Sequence, residues 1–212
     1  EGAGLKVVGF TGDEALSQPF EFQVELCADS SSLDLAAPIG KPACLTLIGR
    51  RSDASRYERH IHGVIEEFVQ LAAGIRHSRY LARLVPTLKP LHYSRNSRIF
   101  QKESAPDVAQ QVLTSGQIPS DWIQSLLHTS YGKRDYCVQY QESDLHFVQR
   151  LWEEEGITYF FEHTAEKDTL VLGDGEHAFD ALPDYGVVRL RDQPHLYEEG
   201  IHSFRAGHAL VP

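Results

Sequence analysis

The sequence predicts a β-rich α+β protein: a small antiparallel β-barrel domain over residues 1–88, then an α+β domain with two helices over residues 89–212. Three observations carry that expectation. Five or six strand-like runs with short turns fill the first ~85 residues, the pattern of a small barrel or sandwich. The composition changes after Leu88, where Lys89-Pro90 and the polar run Ser94 to Arg98 read as a boundary. Finally, Asp135 to His163 reads as strand, helix, strand, and the second part is organised around it.

In the first part, Lys6 to Phe10 and Phe20 to Cys27 are the first strands, with Gly12, Asp13 and Glu14 opening the connection. Phe20, Phe22, Val24 and Leu26 alternate with Glu21, Gln23 and Glu25, as in a sheet with one wet face. Ala28 to Pro38 is a polar loop and Ala43 to Ile48 a third strand. After a charged hairpin loop from Arg50 to Arg59, two longer strands, Arg59 to Leu71 and Ile75 to Pro86, meet at Ala73-Gly74.

In the second part, Ser104 caps a helix over Ala105 to Leu113, with Pro106 in the first turn where its missing N–H does no harm. Val108, Val112 and Leu113 form its apolar stripe and Gly116 ends it. Ile118 to Tyr131 reads as loop. Tyr136, Val138 and Tyr140 then alternate with Cys137 and Gln139. Ser143 is placed to cap a second helix, with Asp144 at the positive end of its dipole. Leu145, Val148, Leu151 and Trp152 follow at helical spacing, Gly156 stands where a helix-ending glycine belongs, and a β-branched, aromatic strand runs from Ile157 to Phe161. Most of the aromatic rings between Tyr136 and Phe161 are expected in the core between helix and sheet. A strand at Thr169 to Leu172, a turn at Gly173-Asp174-Gly175, and strands at Gly186 to Leu190 and Gly200 to Ala206 complete a mixed or antiparallel sheet.

One stretch breaks a local rule. Glu153, Glu154 and Glu155 occupy the last turn of the second helix, where the dipole favours cations. Arg150 is spaced to pair with Glu153 or Glu154, which leaves an acid in need of another partner. The end is either a solvated acidic turn or the site of a fixed ion pair to a distant arginine or a neighbouring subunit. Tyr159, Phe160 and Phe161 put a ring on both faces of the following strand, which suits a sandwiched strand or a subunit contact. Arg150, Glu153, Glu154, Glu155, Tyr159 and Phe161 are therefore the candidate assembly and ion-pair residues.

Other chemistry is poorly represented. Net charge is −10, which disfavours a nucleic-acid partner. No run approaches the ~20 apolar residues of a membrane helix, and Glu1 to Lys6 does not open a secretory leader. Cys27, Cys44 and Cys137 lie in apolar strand-like runs and read as buried free thiols. His60 and His62 share a strand face at a spacing that zinc or copper accepts, but no spacing points to further ligands, so a polar face of an edge strand is expected. There is no G-x-S-x-G elbow, P-loop or dinucleotide fingerprint. Consecutive glutamates on a helix point in different directions and do not face one glycosidic bond. No catalytic, cofactor-binding or metal-ligating set is expected, and no cofactor.

The stretch RDYCVQYQESDLHFVQRLWEEEGITYFFEH, Arg134 to His163, resembles the signature of the VgrG family, the spike proteins of type VI secretion systems. SRIFQKESAPDVAQQVL from Ser97 to Leu113, VVGFTGDEALSQPFEFQVEL from Val7 to Leu26, and the segment from Arg59 to Val64 are similar to further blocks of that family, in the expected order. The resemblance implies a phage tail hub-like fold and a structural part, not an enzyme. It implies a homotrimer whose barrels present a pseudo-sixfold ring to the hexameric Hcp tube, with baseplate proteins and effectors as further partners. The spike is driven through target membranes mechanically, in virulence and effector delivery. It also implies residence in the bacterial cytoplasm before firing and protein secretion by the type VI machinery without a signal peptide. A family member continues beyond Pro212, so the chain is expected to be an amino-terminal part of a longer protein. A hub of a contractile phage tail or of an extracellular injection system shares these expectations, and a cell-wall hydrolase is the rival of a different class.

Overall fold

A computed structural model describes residues 4–29, 33–50, 56–74 and 77–179. The strands expected at Gly186 to Leu190 and Gly200 to Ala206, and residues 51–55 of the Arg50 to Arg59 loop, lie outside the described residues. The first sheet contains β1 (Lys6–Asp13), β2 (Glu21–Ala28), β3 (Pro42–Arg50), β4 (Arg56–Ala72) and β5 (Ser78–Val85), ordered β1-β2-β5-β4-β3. It is antiparallel and curled towards a barrel, and bulges between Val7 and Gly9, Ile65 and Glu67, and Gln70 and Ala72 supply local bends.

The alternation on β2 sets which face is buried. Phe20, Phe22 and Val24 point inward with Tyr80, Ala82 and Leu84 of β5, and Phe68 of β4 stacks on Tyr80 at 5.6 Å. Phe20, Phe22, Val24, Phe68 and Leu84 each contribute about 1.5–3 kcal/mol by burial. The first strand runs three residues past the expected Phe10. Gly12 extends it, because the Phe22 ring lies 2.1 Å from where a side chain at position 12 would begin.

Two expectations about this sheet are corrected. β4 is not an edge strand: it lies between β5 and β3, and His62 is buried against the rest of the chain. His60 and His62 serve separate partners, Thr46 for the first and Asp168 for the second. The three thiols also differ. Cys137 is buried and Cys27 half-buried, but Cys44 is exposed because it lies on the wet face of edge strand β3, beside Thr46 and His60.

The α+β region comprises β6 (Arg95–Phe100), α1 (Ala105–Ser115), β7 (Ile123–Leu126), β8 (Cys137–Ser143), α2 (Asp144–Glu154), β9 (Thr158–His163) and β10 (Asp168–Gly173). β8 pairs antiparallel with β6, whereas β9 pairs antiparallel with β10. The strand–helix–strand unit is therefore not a crossover within one sheet; α2 leads the chain from one sheet to another. β10 also pairs in parallel with β7, which lies within the segment expected to be loop. Four residues are too few to show a period, and the partner strand is some 45 residues downstream, so nothing local announces β7.

α1 opens on a capping box between Ser104 and Asp107 and runs to Ser115, two residues beyond expectation. Val108, Ala109, Val112 and Leu113 of α1 pack with Leu145, Val148, Leu151 and Trp152 of α2 over Ile157, Tyr159, Leu170 and Leu172. Leu88 and Leu91, at the predicted boundary, belong to this core. By contacts the chain divides into a main unit, Glu1–Thr46 with His60–Ala178, and a second of Leu47–Arg59 with Phe179–Pro212. In the second, Arg56 pairs with Glu58 at 2.6 Å.

Candidate assembly site

The N-terminus of α2 is built around a buried carboxylate. Ser143 caps the helix, its Oγ accepting from the His146 N–H at 3.1 Å. Asp144 is 3% exposed, so its charge needs partners. It accepts from Arg98 Nη2 at 2.6 Å, from Gln139 Nε2 at 2.7 Å, and from Asn96 Nδ2 at 3.0 Å and 3.1 Å. Its own backbone N–H donates to Ser94 O at 2.9 Å. Arg98 reaches on to Ser115 Oγ at the end of α1. One carboxylate thus ties together β6, β8 and both helices.

This network decides the phase of β8. Gln139 must point inward to reach Asp144, so Cys137 is inward and Tyr136, Val138 and Tyr140 are outward. Most of the aromatic rings from Tyr136 to Phe161 are turned inward, but these two are not: Tyr136 is 55% exposed and Tyr140 71%. Ile99 of β6 lies directly across from Val138 and is exposed with it. The outer face of the β6–β8 ribbon is therefore a bare patch of two tyrosines, a valine and an isoleucine.

At the other end of α2 the three glutamates separate. Arg134, which precedes β8, donates from Nη1 to Glu154 at 2.6 Å and from Nη2 to Glu155 at 2.5 Å. These bonds raise the Arg134 pKa, Glu155 contributing most. Arg134 is itself held by its backbone, donating to Glu103 O and accepting from Lys102 N at 2.9 Å each. Arg150 bridges Glu154 at 2.9 Å and Glu142 at 2.7 Å. The hydrogen bond from Arg134 is the main reason Glu154 titrates below the usual carboxylate range, with Arg150 adding to it against burial. At Glu142, burial pushes up, but Arg150 and His146 together pull the group below its ordinary value. Glu153 is exposed and carries no ion pair among the described residues. Gly156, at φ +70°, reverses the chain after the helix.

Tyr159 is 1% exposed, a core position: its ring packs on Trp152 at 5.2 Å and its hydroxyl accepts from Gln149 Nε2 at 2.7 Å. Burial pushes its pKa up to about 12. Phe161 is half-buried, edge-on to Phe20 at 5.3 Å. Phe160 lies half-buried on the opposite side of β9. Ion-pair residues and aromatic residues named from the sequence thus lie on one helix–strand unit, with the glutamates outside and Tyr159 inside.

Sequence reasoning missed two carboxylates at the ends of β10. Asp168 accepts from Thr87 N at 2.7 Å, Thr87 Oγ1 at 2.8 Å and His62 Nδ1 at 3.1 Å. Asp174 accepts from Thr129 N at 2.7 Å, His128 N at 3.0 Å and Tyr131 Oη at 2.9 Å, with His177 at 3.3 Å. Led by the Thr129 N–H, these donors hold Asp174 far below the usual carboxylate range. Each carboxylate gathers backbone N–H and hydroxyl donors from segments distant in sequence, while the imidazole is distant for Asp168 and three residues away for Asp174. The only local signal is an aspartate at a strand end.

Among the described residues no group of three or more His, Cys, Asp or Glu side chains is placed to hold a metal. An open groove of about 810 Å³ runs between Leu16–Pro19 and the end of α2. Its titratable lining includes His146 and Arg150, both committed to Glu142, and the solvated Glu153. That set holds and orients structure; it does not converge on a reacting atom.

Relatives agree with this architecture. The chain is 40% identical over 178 residues to the type VI secretion system spike protein VgrG4b of Pseudomonas aeruginosa, covering 84% of this chain and 21% of that protein. It thus spans about a fifth of the length of this curated relative. It is also similar to a solved E. coli protein, c3393, a type VI secretion component with structural similarity to the T4 bacteriophage tail proteins gp27 and gp5 (TM-score 0.74, 26% identity, 84% of this chain and 50% of that one). A Francisella VgrG solved in complex with PdpA shares the fold at TM-score 0.60 and 10% identity, over 87% of this chain and 30% of that one. A family model for the phage tail baseplate hub (GPD) matches residues 13–212. The chain accordingly belongs to the phage tail baseplate hub (GPD) family.

Proposed function

We propose that this chain forms the hub-like base of a type VI secretion spike, assembles as a homotrimer within a longer protein, and docks on the hexameric Hcp tube to be driven with it through target membranes, carrying effectors. The observation that carries this reading is the bare face of the β6–β8 ribbon. Ile99, Tyr136, Val138 and Tyr140 are outward because a buried ionic network requires it, and rigid tyrosines of this kind suit a protein contact. Glu153 keeps a carboxylate open to a basic partner, while Arg134, Arg150, Glu154 and Glu155 stiffen the frame. A baseplate-like protein is a further partner, by analogy with the PdpA–VgrG complex. In this reading the protein resides in the bacterial cytoplasm until it leaves with the machinery.

A hub of a contractile phage tail is the second reading, favoured by the family match over residues 13–212. Mass measurement of the longer protein, alone and mixed with Hcp hexamers, tests the first. A trimer that binds one end of the Hcp ring supports it. A monomer, or a trimer indifferent to Hcp at high concentration, overturns it.

A further inference from the structure

The buried junction between the first sheet and the β9–β10 sheet contains two imidazoles whose hydrogen-bond roles are dictated by their neighbours. The backbone N–H of His62 on β4 donates to Nδ1 of His163 on β9 at 3.2 Å. That ring nitrogen must therefore present a lone pair, which places the proton of the neutral ring on Nε2. His62 Nδ1 faces a carboxylate oxygen of Asp168 at 3.1 Å and must be the donor there. Both rings are enclosed: the His62 side chain is 5% exposed and that of His163 7%. Trp122 closes on His62 edge-to-face at 5.6 Å and Phe20 on His163 at 5.0 Å.

We propose that His163 is an acid-sensitive latch between the two sheets: neutral, it receives the His62 amide, and protonated, it releases it. A proton on Nδ1 turns the acceptor into a donor, so two N–H groups then face one another in a buried site. Among the described residues, the titratable groups around His163 include Glu14 in the β1–β2 connection, with Oε1 at 3.9 Å from Nε2, Asp168 across the β9–β10 pair, and His62 on β4. Glu14 favours the cation, but at 3.9 Å and one-third exposed its attraction is screened and leaves the Nδ1 conflict in place. Asp168 is already engaged by three donors, Thr87 N, Thr87 Oγ1 and His62 Nδ1. Whatever the cation gains from these carboxylates, its Nδ1 no longer accepts, and the amide of His62 loses its acceptor. Protonation loosens β4 from β9 at one of the contacts that join the curled sheet to the α+β region, beside those of Thr87 with Asp168 and Phe20 with Phe161.

Two measurements on the whole 212-residue chain decide this. Long-range proton–nitrogen NMR of the imidazoles at about pH 7.5 should find His163 protonated on Nε2 and bare on Nδ1. Amide exchange at His62, corrected for its intrinsic pH dependence, should lose at least ~10-fold protection between about pH 7.5 and about pH 5.5. His163→Asn places an acceptor oxygen near the Nδ1 position and cannot titrate, so its His62 protection should stay flat over that interval. A neutral ring carrying its proton on Nδ1 overturns the proposal. So does protection that survives ring protonation, or a His163→Asn variant whose protection falls like that of the parent, which would assign the response to Asp168, Glu14 or His62 itself. The tautomer measurement stands even where the variant fails to fold.

Discussion

Arg134 spans Glu154 and Glu155 with its two terminal nitrogens, so the last turn of α2 is closed by a residue that precedes β8. Two carboxylates at the negative end of a helix dipole are each unfavourable by about 0.3–1 kcal/mol when unpaired. Replacing Arg134 with alanine should therefore lower stability by about 1–2 kcal/mol in urea titration. Adding Glu154→Gln and Glu155→Gln should recover part of the loss. Strict additivity in that cycle would show that the arginine does not act on these acids. Reversing both acids to lysine should be worse than neutralising them, because Arg134 then faces like charge.

Acid stability follows from the carboxylates that the fold pulls down. Glu142, Glu154 and Asp174 all titrate lower in the folded chain than their ordinary values. Their contribution is thus fully present above the unfolded carboxylate range, near pH 4, and is lost as pH falls through the folded values. A plot of stability against pH should fall steeply below about pH 4, and Asp174→Asn should flatten the lower part of that fall. An Asp174→Asn curve that parallels the parent at every acid pH would remove Asp174 from the account.

Much of the organising unit was legible because its signals are local. Ser143 as a cap and Gly156 as the chain reversal depend only on neighbours in sequence, and both stand where expected. The face of β8 was not legible. Alternation of Tyr136, Val138 and Tyr140 with Cys137 and Gln139 gives a period of two but not which set is inside. Hydrophobicity alone puts the tyrosines in, whereas the buried Asp144 demands Gln139 and so reverses the strand. The sequence left the glutamates between a solvated turn and a fixed ion pair to a distant arginine or another subunit, and nothing in the spacing identifies Arg134. Asp168 and β7 depend wholly on tertiary partners, and Asp174 on all but His177, so a single sequence carries almost no trace of them.

The Asp144 network should be the most sensitive point of the α+β region. Asp144→Ala leaves Arg98 and the amides of Gln139 and Asn96 facing a void, a change of the kind that costs about 3–5 kcal/mol. Asp144→Asn keeps one acceptor and should cost less. Thermal melts of the two variants should rank in that order, with loss of near-ultraviolet signal from Trp152 accompanying the alanine change. Equal melting temperatures for parent and Asp144→Ala would show that the carboxylate is not what holds β6, β8 and the helices together.

The ribbon face separates stability from assembly. Tyr136 and Tyr140 point away from the core and make no ring contact among those described, so Tyr136→Ser with Tyr140→Ser should leave stability of this chain within about 0.5 kcal/mol. In the longer protein the same pair should shift the oligomer distribution, because a contact that buries two tyrosines loses its main apolar area. The readout is mass by light scattering over a dilution series, with Gln139→Leu as a contrast. That change strikes the inward side of β8 and should damage folding before assembly. An oligomer unaffected by the tyrosine changes would move the assembly surface elsewhere on the chain. Destabilisation equal to that of Gln139→Leu would mean that the tyrosines serve the fold, contrary to the orientation that Asp144 imposes on them.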